Sequence, residues 1–499
     1  MEDIERMIGR RYWGLVSLGA LTGCATSAPY HPPQVPLPPG FTIGQVGAVP
    51  HEADWWQVFN DPTLTSLVNR ALTGNLDVQQ AATRIREARA QERITRSASG
   101  PQINASGQAS YNRLSGNSLP PGLAGLFSGS PDPSSGSGLG LPGETFSIYQ
   151  LGFDASWEVD LFGGQRRANQ AAGARADAAL WSARDAEVVL AAEVANTYQQ
   201  YRALQRRLSL LEQTLATQRE SAAFLSVRAR HGLIPDSDAH AQQRVLLQTL
   251  AQQQDLAAQA QARAHALATL LGLPPADLSA ELAAAPSDPP VAVGVPPGLP
   301  SQLVERRPDL RAAERQLAAA TADVGVATAD LYPKFSLTGA LQLASRSLST
   351  LLESDSLQDN VNGRISLPLL DRARAHATVQ LRQAQADEAL LAYRGAILIA
   401  LRDVEDALMH LQADRERLGQ LRGVARSAQE DADSAAVRYR HGLVAATELL
   451  AAQQTSQQAS DAQVQAEAVA AQDVVALYKA LGGGWNPQRT SGKEEFSGG

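Results

Sequence analysis

The sequence predicts a mainly α-helical chain that carries two pairs of amphipathic β-strands, with the whole programme written twice. Three observations lead there. The apolar residues are mostly Ala and Leu, only 5% of the 499 residues are aromatic, and long stretches lack proline. That composition favours extended helices packed side by side over one large globular core. Stretches with a two-residue period interrupt the helices, and at about ten to fourteen residues they have the length of membrane strands. Finally, VRARHGL at 227–233 returns as VRYRHGL at 437–443. A formal net charge of -8 supplies no basic field for nucleic acid. Beyond the N-terminus there is no apolar run long enough for a transmembrane helix, which leaves β-barrel spanning open.

The elements follow in order. Arg6, Arg10 and Arg11 precede a short apolar run that ends LTGC at Cys24, the layout of a signal peptide covering 1–23. The ending resembles the bacterial lipobox. That resemblance implies acylation of Cys24, a firm anchor when several chains insert; with Ala25 following, it implies the outer membrane. Glu2, Asp3 and Glu5 are unusual ahead of a signal peptide and favour a start at Met7. Residues 24–60 read as an acylated tether, extended and proline-rich from 29 to 39.

Helical periodicity begins with DPTLTSLVNRAL and continues in NLDVQQAATRIREARAQERITRSAS, opened by an Asn75 cap and closed by Gly100-Pro101. QINASGQASY then alternates apolar and polar residues. A Gly/Ser/Pro stretch at 115–143 follows, and SIYQLGFDASWEVD alternates again. Tyr149, Leu151, Phe153, Ala155, Trp157 and Val159 share one face of it and mostly polar residues the other. Both a half-buried strand of a soluble sheet and a barrel strand between lipid and water fit that pattern. Next comes a proline-free helix over 165–231, about 100 Å long at 1.5 Å per residue. Gly232 and Pro235 end it, and a second helix covers 237–271.

A Pro/Ala-rich linker at 276–300 joins this first repeat, 61–275, to a second, 301–484. The second repeat supplies a short helix, strands KFSLTGALQLAS and NVNGRISLPLL, a long helix over 373–441 and a shorter one over 447–481. Asp77, Ala81 and Pro101 recur as Asp309, Ala313 and Pro333; His231, Gly232, Leu271 and Gly272 recur as His441, Gly442, Leu481 and Gly482. The spacing between copies changes from 232 to 210 between the two strands, where a hairpin tip absorbs insertions. GGG ahead of Trp485 reads as a helix stop before a polar, disordered tail at 485–499.

Four strands cannot close a barrel, and open edges are not tolerated in hydrocarbon, so the chain must oligomerise. Three chains give twelve strands. In each half the two shorter helices, stacked end to end, match the long one and build a second, helical cylinder. Several ordered motifs then carry a family resemblance: DWWQVFNDPTLTSLVNRAL, RRPDLRAAERQLAAATADVGVATADLYPKFSLTG, PLLDRARAHA, the paired RHGL turns and LGGGW. Over about 54–485 the chain resembles the TolC-like outer-membrane factors, in particular their lipoprotein subgroup. The resemblance implies a homotrimeric exit duct, a membrane β-barrel continued by a periplasmic α-helical barrel. Such a duct receives substrate from an inner-membrane pump through a periplasmic adaptor and catalyses nothing.

It also implies that the repeated turn is the periplasmic tip where adaptor hairpins dock. The candidates are Gly232, Leu233, Gly442, Leu443, Ala445, Ala446 and Thr447. Gly232 and Gly442 also suffice as helix ends, with Arg228, Arg230, Arg438 and Arg440 complementing the helix dipole. His231 and His441 read as helix-end cations or as pH sensors. The family's gate carboxylates fall at Asp238 and Glu448, with Asp236 nearby; Asp236 and Asp238 also read as N-caps flanking Ser237. Ala451 stands where the family often has aspartate. No histidine pair, nucleophile elbow or phosphate loop supports a metal or nucleotide site, and no cofactor is expected beyond lipid on Cys24. A periplasmic adaptor lipoprotein is the alternative, and would carry compact all-β domains. A lipid-anchored coiled-coil scaffold would need sustained heptads, which are lacking. The cargo is not written in the sequence.

Overall fold

A computed structural model describes residues 30–42, 53–113, 145–283 and 300–486. Cys24, the signal peptide, the 115–143 stretch, most of the 276–300 linker and the tail beyond 486 lie outside them. Two compact units are present, one built on Arg89–Ala174 and Ala318–Glu388, the other on Pro32–Ala88, Arg175–Leu317 and the residues from Ala389 on.

The first unit holds a four-stranded antiparallel sheet: β1 (Gln102–Arg113), β2 (Thr145–Val159), β3 (Lys334–Ser345) and β4 (Leu357–Ser366), in the order β1-β2-β3-β4. The register carries each strand's alternation across the sheet. Ala105 faces Phe153, Phe153 faces Leu341, and Gly339 faces Val361. One face thus collects Ile103, Tyr149, Leu151, Trp157, Leu337 and Ile365, interrupted by Arg113 and Asp359. The other collects chiefly amides and hydroxyls, with Phe146 and Ile148 at its hairpin end. Apolar side chains on the first face are open to the surroundings; Phe153 is 59% exposed and Val361 75%.

β4 differs from the expectation of 360–370. It starts three residues earlier because pairing with β3 extends to Leu343 opposite Leu357, although Asp359 breaks the apolar alternation there. It stops at Ser366 because Pro368 has no N–H to give a ladder.

The second unit is helical. A 3-10 turn (Trp55–Phe59) leads into α1 (Pro62–Gly74) and α2 (Leu76–Ser97), and α3 (Gly164–Arg230) and α4 (Asp236–Leu270) form the first long hairpin. Short α5 (Ser279–Leu282) and α6 (Pro300–Arg306) precede α7 (Pro308–Ala329), and α8 (Arg372–Arg440) and α9 (Ala446–Ala480) form the second hairpin. The expected single helix after the linker is therefore two, separated at Arg307 because Pro308 has no N–H to continue the ladder. Helices α2, α3, α7 and α8 each run through both units.

Its core is centred on Trp55, Trp56, Tyr198, Leu267 and Val474, all buried. Trp55 stacks on Tyr478 at 5.1 Å and meets Trp56 edge-on. Asp61 caps α1 through Oδ1, which accepts from the backbone N–H groups of Thr63 and Leu64 at 2.8 and 3.1 Å. Its Oδ2 accepts from the Tyr198 hydroxyl at 2.6 Å, which in turn accepts from Arg202 Nε at 2.7 Å. Three segments expected to lack structure are tied into this unit. Thr42 donates to Glu405 through its backbone N–H, Leu278 and Leu282 of the linker are fully buried, and Trp485 donates from Nε1 to the Arg306 carbonyl at 3.2 Å.

The duplication is most informative where the copies diverge. Asn75 separates α1 from α2. Its Oδ1 accepts from the Asp77 and Val78 N–H groups, and its Nδ2 donates to the Leu270 carbonyl at 2.9 Å, one of the orphan acceptors at the end of α4. The matching position is Arg307, which donates from Nη1 to the Ala480 carbonyl at 2.9 Å and pairs with Asp309. Two different side chains close the same gap. Gly272 has φ +72°, and a Cβ there would stand 2.5 Å from the Gly74 carbonyl oxygen, so glycine is required twice over.

Candidate functional site

The two repeated turns have the same backbone. After α3, Gly232 at φ +63° donates to the Ala229 carbonyl and Leu233 to that of Arg228; after α8, Gly442 at φ +73° donates to Tyr439 and Leu443 to Arg438. Both are Schellman caps, which satisfy two end carbonyls by letting a glycine turn left-handed. Arg230 and Arg440 repeat a contact from Nε to the carbonyl four residues back, where a cation suits the negative end of the helix. Leu233 and Leu443 project from the turns, 65% and 70% exposed.

Beyond the glycines the copies part. Arg438 pairs with Glu448 at 3.1 Å, joining α8 to the start of α9. Its counterpart Arg228 lies over the Phe224 ring at 5.7 Å. Asp236 and Asp238 do not cap α4. Pro235 occupies the N-cap position and makes no side-chain cap bond, while the two aspartates stand in the first turn. There they act through the positive helix end rather than by capping. Ala445 is the corresponding N-cap of α9 and likewise offers no side-chain acceptor.

A groove of about 1040 Å³ lies between the α3–α4 and α8–α9 pairs beside these turns. Asp238, Gly442, Ala445, Ala446, Thr447 and Ala451 line it. Gly232, Leu233, Leu443, Asp236 and Glu448 lie outside that lining, so the sequence candidates divide between a groove wall and the turn crests. Ala451 adds no charge to the groove. Sequence reasoning missed the polar seam inside it: Ser456 donates to Gln429 Oε1 at 2.8 Å, and Gln218 and Gln242 are buried. It also missed the ion pairs that bind α3 and α8 to α9. Glu467 accepts from Arg206 at 3.0 Å and from Arg422 at 3.1 Å, and Asp461 accepts from Arg207 in bidentate fashion.

Two carboxyls away from the turns are perturbed. Burial raises Asp185 to about 6, with Asp309 adding to the rise and Arg307 and Lys479 opposing it. Burial and the neighbouring Asp414 raise Asp473 to about 6, against the pull of His410 and Arg415. Among the described residues no His, Cys, Asp or Glu cluster is arranged to hold a metal, and no helix is long and apolar enough to cross a membrane.

Comparison with known proteins follows the duplication. The outer membrane efflux protein model matches residues 67–273 and 299–483, one segment for each repeat. The chain belongs to that family. Relatives extend nearly end to end. Outer membrane protein OprJ of Pseudomonas aeruginosa is 32% identical over 480 residues, with 95% of both chains covered. Pyoverdine export outer membrane protein OpmQ of Pseudomonas putida is 34% identical, covering 93% of this chain and 96% of its own. Nodulation protein T of Rhizobium leguminosarum bv. trifolii is 30% identical, covering 95% and 97%. Among solved structures, the outer-membrane channel OprN superposes with a TM-score of 0.81 at 33% identity, covering 93% of this chain and all of its own. CusC superposes at 0.77 and 26%, covering 92% and 100%. The TolC-like resemblance therefore holds, and the family is one of efflux proteins of the outer membrane rather than of adaptors.

Proposed function

We propose that this chain is the outer-membrane exit duct of a tripartite export system, working as a homotrimer whose twelve strands close one barrel. The observation that carries the reading is the two-faced sheet with unpaired outer edges. Among the described residues β1 and β4 each have one strand partner, and in hydrocarbon an edge N–H or C=O without a partner costs several kcal/mol. Pairing β1 of one copy with β4 of the next removes every edge and gives an even strand number. The apolar face supplies the lipid contact. Tyr111 and Tyr149 stand towards its hairpin end, and Trp157 and Phe335 towards its helix end. Eight residues separate Tyr149 from Trp157, about 27 Å along a strand and about 20 Å of membrane at a barrel tilt.

Lipid on Cys24 anchors the N-terminus in the same membrane. The helical stem faces the periplasm, and the groove and crests around Gly232, Leu233, Gly442, Leu443, Ala445, Ala446 and Thr447 receive an adaptor that brings substrate from an inner-membrane pump. Asp236, Asp238 and Glu448 belong to the resting closure. The bond of Glu448 to Arg438 makes that closure partly a latch within one chain.

Single-particle imaging of the lipidated protein, extracted from outer membranes in detergent, tests the duct. Threefold particles with a helical stem of about 100 Å, the length the rise per residue demands, are expected. Slender monomers or dimers without a channel would overturn the barrel. Cys24→Ala is expected to abolish labelling by radioactive palmitate; retained labelling would refute the anchor.

A further inference from the structure

The polar face of the sheet is nearly free of charge, and its few charges are not scattered. Of its residues only Asp154, Glu158, Lys334 and Arg364 are ionisable. Asp154 stands opposite Asn104 and accepts from its amide at 3.1 Å. Lys334, at the foot of β3, is held by Asp330 at 2.8 Å. Glu158 and Arg364 remain. Both are exposed; neither makes an ion pair among the described residues, although the charge of Glu158 also acts on Lys334. Glu158 pairs in register with Ser336, and Ser336 with Arg364, so the two lie at one cross-strand level, separated by a single strand. Above that level the face continues in uncharged side chains such as Gln150, Gln342, Gln358 and Asn360, with Asp154 the exception.

We propose that Glu158 and Arg364 form the charge-selecting level of the duct. The inference rests on the trimeric-barrel reading, which makes the polar face the wall of the lumen. Closure repeats the pair three times, giving a ring of three negative and a ring of three positive charges, about 6 Å apart along the axis of a tilted barrel. A solute carrying charge of one sign meets attraction and repulsion together and gains nothing on average. A neutral or zwitterionic solute passes the level without penalty, and a zwitterion can satisfy both groups in transit. The level therefore suits small uncharged or zwitterionic cargo and offers no guiding field to polyanions or polycations.

Removing one sign exposes the other. Three like charges at about 10 Å from the axis, one Debye length at 0.1 M salt, move cation and anion permeability in opposite directions and change their ratio about fourfold. The test is the reversal potential across a planar lipid bilayer under a potassium chloride gradient, with the full-length protein purified in detergent. Glu158→Gln is expected to shift the potassium-to-chloride ratio towards chloride and Arg364→Gln towards potassium, with the unmodified duct between them. Both shifts should collapse at about 1 M salt, where screening shortens to about 3 Å. Conductance with no opposite shifts in the two variants would overturn the inference. No conductance in any of the three proteins, and none when Arg438→Ala releases the latch to Glu448, would overturn the duct itself.

Discussion

Asp185→Asn tests the electrostatics of the helical unit directly. Asp185 on α3 is half-buried near Arg307, Asp309 and Lys479, and its carboxyl rises from the usual 3.8 to about 6. At about 1.4 kcal/mol per unit, holding it ionised in the fold costs about 3 kcal/mol. The folded pKa lies above the unfolded one, so between about pH 4 and 6 the folded chain keeps a proton that the unfolded chain gives up. Stability contributed by that proton is complete below about pH 4 and is lost as pH rises through 6. Asparagine imitates the protonated form at every pH. The variant should therefore match the parent near pH 4 and exceed it by about 2–3 kcal/mol above pH 7, the range allowing for partial solvation. Chemical denaturation of the detergent-solubilised protein across that pH range reads the difference. Equal stability at neutral pH, or a variant weaker at every pH, would refute the idea that burial outweighs the attraction of Arg307 and Lys479.

Three further outcomes are expected. Asn75→Ala removes an N-cap and a bond to the Leu270 carbonyl and should cost about 1–2 kcal/mol, whereas Arg307→Ala strands Asp309 and should cost about 3–5; melting of the two variants side by side shows whether the copies differ in strength. Glu467→Ala leaves Arg206 and Arg422 without their shared acceptor and should lower stability by about 3 kcal/mol, with Glu467→Gln retaining part of it, as read by denaturant midpoint. Gly442→Ala meets open space and only a left-handed backbone, about 1 kcal/mol. Gly272→Ala adds a clash with the Gly74 carbonyl and should be clearly worse by expression level and melting point.

Much of this was legible because glycine and proline punctuate the chain. The long helices end within one residue of the predicted bounds, since Gly232, Gly272, Gly442 and Gly482 permit a left-handed turn that few residues adopt. Strands β1 to β3 were readable from alternation; β4 shifted because Asp359 breaks its pattern while backbone pairing does not require one. The capping reading of Asp236 and Asp238 fails, because Ser-Asp before a helix looks like a cap whereas Pro235 takes that place. The groove could be sensed only as two similar turns. Its seam, the Arg438–Glu448 pair and the arginines on Glu467 depend on helix rotation, and the last of these joins residues up to 261 positions apart. No local pattern encodes such distances.

The carboxylate of Glu467 also has a mechanical meaning. One acidic group on α9 is gripped by an arginine from α3 and another from α8, and Asp461 adds a second grip on α3. Sliding either long helix along α9 by one turn, about 5.4 Å, would break these bonds together. α3 and α8 are thereby locked in axial register on α9, and any rearrangement of the helical unit that shifts this register has to break the three ion pairs together.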